Sequence, residues 1–297
     1  MKPLYMWAGG KNKMIPKYME KGKIPYSGYD TYVEPFFGGG AMMIHIAEKN
    51  PDIKRFVLND VNPEIVGLYR AIKEDVVGFM GYCDELCLQY LPLDKAGRKI
   101  FYYEIRELYT KHYHDWGYIK EAGYLYFLMK TAFNGIFQSM KGCDGRFATP
   151  SGLLNQKDSV YDSENVMLWH KFLQKVDIYS GDWKECVSNI EGRAFYFFDP
   201  PYRDSFTQYG QVFGDDAHRD LIEYSKAVDA DGHYVLYCNR DSGDTFYTDN
   251  QGSLGIEYFP VTYTAGRRKK TITATGDMFE AKPATEILLY SSSISPT

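Results

Sequence analysis

Apolar and polar positions follow two periods along this chain. Short apolar runs rich in aromatic and β-branched residues recur at DTYVEPF (30–36), RFVLND (55–60), VDIYSGDW (176–183), RAFYFFDPP (193–201), HYVLYCN (233–239), GIEYFPVTYT (255–264) and TEILLYS (285–291), and each reads as a strand. AMMIHIAEKN (41–50) has helical spacing, and NPEIVGLYRAIKED (62–75) repeats it with Asn62 at the N-cap and Pro63 at the first helical position. From 76 to 165 the pattern is helix-rich, broken by the glycine-rich MKGCDGRFATPSG (140–152). This order predicts an α/β fold: a mostly parallel, doubly wound, Rossmann-like sheet built from residues 1–75 and 166–297, interrupted by a helical insertion over 76–165.

In such sheets ligands bind beyond the carboxyl ends of the strands, and three of those ends carry acids: Glu34, Asp60 and Asp199. Phe37 to Gly40, FGGG, lets backbone approach a ligand closely and then opens a helix, as nucleotide-binding turns do. Asp60 lies 20 residues past Gly40, about the spacing at which an acid meets a ribose hydroxyl pair. The two features together imply an adenosine-type ligand. After the apolar AFYFF comes Asp199-Pro200-Pro201-Tyr202. Two prolines hold φ at successive residues and remove two N–H donors, so the corner offers a carboxylate and carbonyls, acceptors suited to an NH₂ group. Tyr202 adds a flat surface for a planar ring. A chance DPPY would occur on the order of once in a thousand chains of this length, which favours a functional reading over a bare turn.

Composition changes this picture in few places. With 44% hydrophobic and 25% charged residues the chain is ordinary for a globular protein, whereas 16% aromatic, including 27 Tyr, is high and suits wet binding surfaces and stacking. There is no long apolar run and no signal-peptide core in MKPLYMWAGG, so an intracellular, non-membrane protein is expected. Five cysteines without a CxxC pair argue against a disulfide framework and a structural zinc, and Cys83 and Cys87 read as packed thiols. The six histidines lack metal-ligand spacing, so no metal is expected; His218, in DDAHRDLI, reads as a helix-surface residue rather than a base. GGKNKM lacks the spacing of a phosphate-binding P-loop. The net charge of −5 speaks against a phosphate partner, but AGRRKKT gathers Arg267, Arg268, Lys269 and Lys270 between two strand signals, where a hairpin tip would clamp phosphates.

At this point the chain resembles the Dam-type N6-adenine DNA methyltransferases of the α-class motif order, over nearly its whole length. MWAGGKNKM (6–14) is similar to the family's WxGGK element, VEPFFGGGAM (33–42) to its FxGxG cofactor loop, and LNDVNPEIVGLY (58–69) to its NDxNxxL segment. FNGIF (133–137) and GRFATPSG (145–152) resemble its target-recognition region; SGDW (180–183), DPPY, CNRDS (238–242) and GRRKK (266–270) complete the order. The resemblance implies an S-adenosylmethionine-dependent methyltransferase sheet with an inserted target-recognition domain. It implies that Trp7, Lys11, Phe37, Gly38, Gly40, Asp60, Asp182, Trp183 and Asp199 hold S-adenosyl-L-methionine, with Asp60 on the ribose and Asp182 and Trp183 near the adenine. Asp199, Pro200 and Tyr202 would hold the target adenine after it is flipped from double-stranded DNA. Asn134, Gln138, Arg146 and Arg267 to Lys270 are the implied DNA contacts, with Lys141 beside them. A cytoplasmic enzyme of a bacterium or a phage-infected cell, as monomer or weak dimer, fits this kind of protein.

Two departures bear on specificity. Relatives that read GATC commonly carry Lys before the Trp, where this chain has Met6, and Arg four residues after the Asn of the NG element, where it has Gln138. Arg binds guanine bidentately and Gln pairs better with adenine, so GATC recognition does not carry over. Three other readings stand beside adenine methylation: N4-cytosine methylation, which more often has Ser before PPY; methylation of a protein glutamine, which more often has Asn there; and a catalytically silent DNA-binding relative.

Overall fold

A strand buried on both faces is largely apolar, and any polar side chain it keeps must be hydrogen-bonded; this chain supplies two such segments. A computed structural model, which describes residues 1–7, 9–139, 146–203, 213–263, 270–273, 276–279 and 282–293, makes them β1 (Thr31–Glu34) and β4 (Ala194–Phe198), with every residue buried. The side chains of residue 114 and of 263–282 are outside that description. The two strands run parallel, Tyr32 opposite Phe195, at the middle of a seven-stranded sheet. On one side follow β2 (Arg55–Asp60) and β3 (Val176–Ser180). On the other follow β5 (Tyr234–Arg240), then β9 (Lys282–Tyr290), then β6 (Gly255–Tyr263). The strands are parallel from β3 to β5, whereas β9 is antiparallel to both its neighbours. Between β6 and β9 in sequence, β7 (Lys270–Thr273) and β8 (Gly276–Phe279) pair as a two-stranded ribbon.

Alternate strand residues point to opposite faces, so the sheet organises two cores. Tyr32, Phe195, Phe197 and Leu236 face one of them, covered by α1 (Ile15–Glu20), α2 (Ala41–Lys49), α3 (Pro63–Glu74) and α7 (Ser163–Leu173). Val33, Tyr196, Phe198 and Val235 face the other, covered by α8 (Trp183–Val187), α9 (Asp215–Ala230) and α10 (Phe246–Asn250). Each large apolar side chain withdrawn from water here contributes roughly 1.5–3 kcal/mol.

Several helices start on side-chain caps. Asn62 Oδ1 accepts from Glu64 N at 2.9 Å, with Pro63 as the first helical residue of α3. α4 (Val76–Tyr90) and α5 (Lys95–His112) begin on Asp75 and Asp94, which accept from Gly78 N at 2.8 Å and Gly97 N at 2.7 Å. With α6 (Tyr118–Thr131) these helices extend the first core. No helix among the described residues is long and apolar enough to cross a membrane.

One buried carboxylate ties the helical stretch to α3. Glu64 accepts from the Tyr109 hydroxyl and from Phe147 N at 3.2 Å, and pairs with Arg146 Nε at 3.3 Å. Arg146 also pairs with Glu121, and its guanidinium lies 3.2 Å from the Tyr113 ring centroid. Burial pushes the Glu64 carboxyl from its ordinary 4.5 up to about 7, against the pull of Arg146 and Tyr109. Arg146, read from sequence as a DNA contact, is thus turned inward at 12% side-chain exposure, because two acids and a tyrosine face claim its fork.

Candidate active site

The strand order reverses between β1 and β4, and the crevice beyond their carboxyl ends is a cavity of about 360 Å³. One wall is the glycine turn. Gly38 and Gly40 adopt φ of +51° and +63°, and a Cβ on either would overlap a ring, Trp7 at Gly38 and Phe37 at Gly40. Asp60, at the end of β2, accepts from Gly38 N at 2.9 Å with one oxygen and from Asn62 N at 2.9 Å with the other. It therefore ties the turn to the start of α3 while still lining the cavity. Burial raises its pKa, partly offset by those backbone donors. Glu34, at the end of β1, is 2% exposed, accepts from the Tyr32 hydroxyl at 2.8 Å and Met43 N at 3.0 Å, and is pushed well up by burial.

The opposite wall is the corner after β4. Lys11, 3% exposed, places Nζ 2.8 Å from Asp199 Oδ1 and 3.4 Å from the Tyr202 hydroxyl. The Cys238 thiol donates weakly to the same Asp199 oxygen at 3.5 Å. Burial raises the Asp199 pKa, and Lys11 is the chief group opposing that rise. Burial also works against the Lys11 charge, but Asp199 and its neighbours outweigh it, so the ammonium holds its proton more tightly than an ordinary lysine. Asn239 on β5 donates from Nδ2 to the carbonyls of both Pro200 and Pro201 at 3.3 Å, which helps to fix the direction of these two oxygens. Arg203 anchors the end of the corner by pairing with Asp215 at 2.9 Å and Asp244 at 3.0 Å.

Trp7, Lys11, Phe37, Gly38, Gly40, Asp60, Asp199, Pro200 and Tyr202, scattered over two hundred positions of sequence, all line this one cavity. Two expected cofactor residues do not line it. Trp183 packs against Phe198 and Tyr224 in the core on the other face of the sheet, because α8 turns it there. Asp182 is exposed and caps α8, accepting from Lys184 N at 2.9 Å; its neighbour Gly181 donates to the Asp60 carbonyl at 3.2 Å, so it stands just outside the Asp60 wall. Asn134 and Gln138 are exposed on the segment that carries Phe137 to the cavity, Asn134 with φ +53°. Lys141 and the side chains of Arg267, Arg268, Lys269 and Lys270 lie outside the described residues. His218 departs from its expected surface position. It is fully buried, hydrogen-bonded to the Tyr237 hydroxyl at 2.5 Å, and burial lowers its pKa to about 4, so it is a neutral packing group.

Sequence reading missed three residues. Asn239 sits in the CNRDS segment but carries no local sign of its partners. Glu286 on β9 accepts from the Tyr202 hydroxyl at 2.6 Å, and nothing in TEILLYS distinguishes it from an edge-strand acid. Phe133 is 53% exposed, a large apolar ring in water on the segment that carries Phe137 to the cavity.

No group of three or more metal-ligating side chains occurs among the described residues. What the cavity presents is a glycine turn on one wall facing a carboxylate and proline carbonyls on the other, at the switch point of a doubly wound sheet. Its kinship is specific. The model of the D12 class N6 adenine-specific DNA methyltransferases matches residues 7–252, and the chain belongs to that family. It is 30% identical to the type II methyltransferase M.MjaIII of Methanocaldococcus jannaschii over 83% of this chain and 86% of that one. Against M.CviBI of Paramecium bursaria Chlorella virus NC1A it is 31% identical over 77% and 80%, and against the DNA adenine methylase of Escherichia coli K12, 23% over 80% of each. The protein is an enzyme that methylates adenine in DNA.

Proposed function

We propose that the glycine-turn wall seats S-adenosylmethionine and the DPPY wall seats an adenine flipped out of double-stranded DNA, so that methyl passes directly to the exocyclic amine. The observation that carries this is the meeting of both walls in one cavity. The residues fit the cofactor: rings occupy the space over two left-handed glycines, Asp60 keeps carboxylate edge toward the cavity, and the volume suits a small ligand that is mostly enclosed. Trp7, the Phe37 to Gly40 turn and Asp60 would hold it, with Asp182 at the outer edge near its base; Trp183 faces the wrong core for that task. Bound there, the cofactor supplies an electrophilic methyl group.

The chain's own residues prepare the amine. The Asp199 carboxylate and the Pro200 carbonyl each accept one amine hydrogen, which draws the nitrogen toward tetrahedral geometry and stabilises positive charge as it develops. Lys11 keeps Asp199 ionised, and hence an acceptor, in a site whose burial would otherwise favour the neutral acid. Asn239 uses one lone pair of the Pro200 carbonyl and leaves the other for the substrate. Tyr202 offers its ring to the base. A base inside a duplex cannot reach this cavity, which is why extrusion is required. Residues 76–165 form the target-recognition part, with Asn134 and Gln138 toward the bases and Arg267 to Lys270 on phosphates. Gln138 and Met6 favour a site other than GATC.

Incubation with methyl-labelled S-adenosylmethionine and unmethylated genomic DNA, then nucleoside mass spectrometry and modification-aware sequencing, tests this reading. N6-methyldeoxyadenosine in one short context is expected. Label in N4-methyldeoxycytidine, or no label in DNA at all, would overturn it.

A further inference from the structure

We infer that Glu286 is a positioning residue for the methyl transfer, holding the Tyr202 ring and the Lys11 ammonium in the places the DPPY corner needs; this rests on the reading of that corner just given. Glu286 lies on β9, the antiparallel strand inserted between β5 and β6, and it is 2% exposed. Its Oε1 accepts from the Tyr202 hydroxyl at 2.6 Å, and its Oε2 stands 3.9 Å from Lys11 Nζ. Lys11 is closer to Asp199, at 2.8 Å, so the ammonium is held between two carboxylates, one lining the cavity and one behind it. Arg240, directly opposite Glu286 on β5, has its guanidinium 5.6 Å from the Tyr202 ring centroid and belongs to the same cluster.

A buried carboxylate is costly to desolvate, and an apolar or amide side chain would satisfy mere packing at that position. Glu286 instead spends its charge on two groups that face the cavity. A tyrosine ring with a free hydroxyl swings about two side-chain torsions, whereas one whose hydroxyl is taken by a fixed acceptor behind it presents a constant face to the base. A hydroxyl donating to a carboxylate oxygen at 2.6 Å makes a hydrogen bond of the stronger kind.

The test pairs Glu286→Gln with Tyr202→Phe. Glu286→Gln keeps shape and an acceptor oxygen but removes the charge, and should lower kcat about ten- to a hundredfold, as the charge assistance to the Tyr202 hydrogen bond and the pairing with Lys11 are both lost, with the dissociation constant for S-adenosylmethionine changed less than about threefold. In the Tyr202→Phe background the same substitution should cause a clearly smaller further loss, since the hydroxyl is gone and only the contact with Lys11 remains to be lost. Fluorotyrosine placed at position 202 and followed by fluorine NMR without cofactor or DNA should give one sharp resonance in the parent chain and a broadened or shifted one in Glu286→Gln. Undiminished kcat, an equal loss in both backgrounds, or an unchanged resonance would overturn the inference. So would failure of Glu286→Gln to fold while Tyr202→Phe folds, since Glu286 would then be a structural residue. A parent chain that gives the sharp resonance but methylates no DNA would overturn the functional reading, and with it the role of Glu286 in transfer, while the fixing of the Tyr202 ring would stand.

Discussion

Lys11→Met removes the cation from the middle of the site and leaves its partner behind. At 2.8 Å and an effective dielectric near 20 the gross attraction to Asp199 is about 6 kcal/mol, from which the desolvation of both ions must be subtracted. Removing one member of a buried pair typically costs about 3–5 kcal/mol, because the other is left buried and uncompensated. Asp199 retains 21% exposure, which puts the expectation near the lower end, with a fall in Tm on the order of 6–10 °C. The pH dependence carries the sharper signature. Burial raises the Asp199 pKa and Lys11 is the main restraint on it, so without Lys11 the pKa climbs further. A carboxyl whose folded pKa lies above its unfolded value stabilises at low pH and loses that contribution as pH rises through the folded pKa, so the variant's deficit should grow with pH and shrink on acidification. Activity shifts in a related way: transfer needs ionised Asp199, so the acid limb of kcat/KM should move to higher pH. Urea denaturation at a series of pH values, together with the pH–rate profile on one methylatable duplex, reads both. An acid limb that stays in place, or a stability within about 0.5 kcal/mol of the parent at neutral pH, would refute the assigned coupling.

Three further outcomes are expected. Asp199→Ala should lose methylation by several orders of magnitude while DNA affinity is largely kept, as measured by single-turnover transfer and by fluorescence anisotropy; retained turnover would remove Asp199 from its role. Neutralising Arg267, Arg268, Lys269 and Lys270 should weaken DNA binding on all sequences and reduce the slope of log affinity against log salt by about 0.9 for each phosphate that no longer meets a cation, and an unaltered slope would put the DNA path elsewhere. Glu64, at about 7 when folded and 4.5 ordinarily, favours the folded state below that interval and loses this as pH rises through it, so Glu64→Gln should flatten the thermal stability curve between those values; a curve of unchanged slope in calorimetry would show that Arg146 holds the carboxylate ionised throughout.

Much of this protein was legible from adjacent residues. FGGG and DPPY carry their chemistry within four positions, since a left-handed turn needs its glycines in place and an acceptor-rich corner needs consecutive prolines. AFYFF had to be a central strand because an unbroken apolar run can be buried on both faces, and Asn62-Pro63 announced a helix start that the cap bond to Glu64 bears out. Helical and strand periods therefore specified the α/β class and most of the sheet. Tertiary structure alone decided which face or partner each remaining residue meets. Trp183 and Asp182 are neighbours in sequence, yet a helix turn sends one into the far core and leaves the other on the surface. Arg146 looked like a free cation in a glycine-rich segment until Glu64 and Glu121, from two other helices, closed around it. His218 became a buried neutral group because Tyr237 of β5 lies against its helix. Glu286 reaches Tyr202 from 84 residues away only because β9 inserts antiparallel beside β5. Periodicity records whether a side chain is buried, and local geometry records what the backbone must do; neither records the long-range pairings that set charge, hydrogen bonding and pKa at a site.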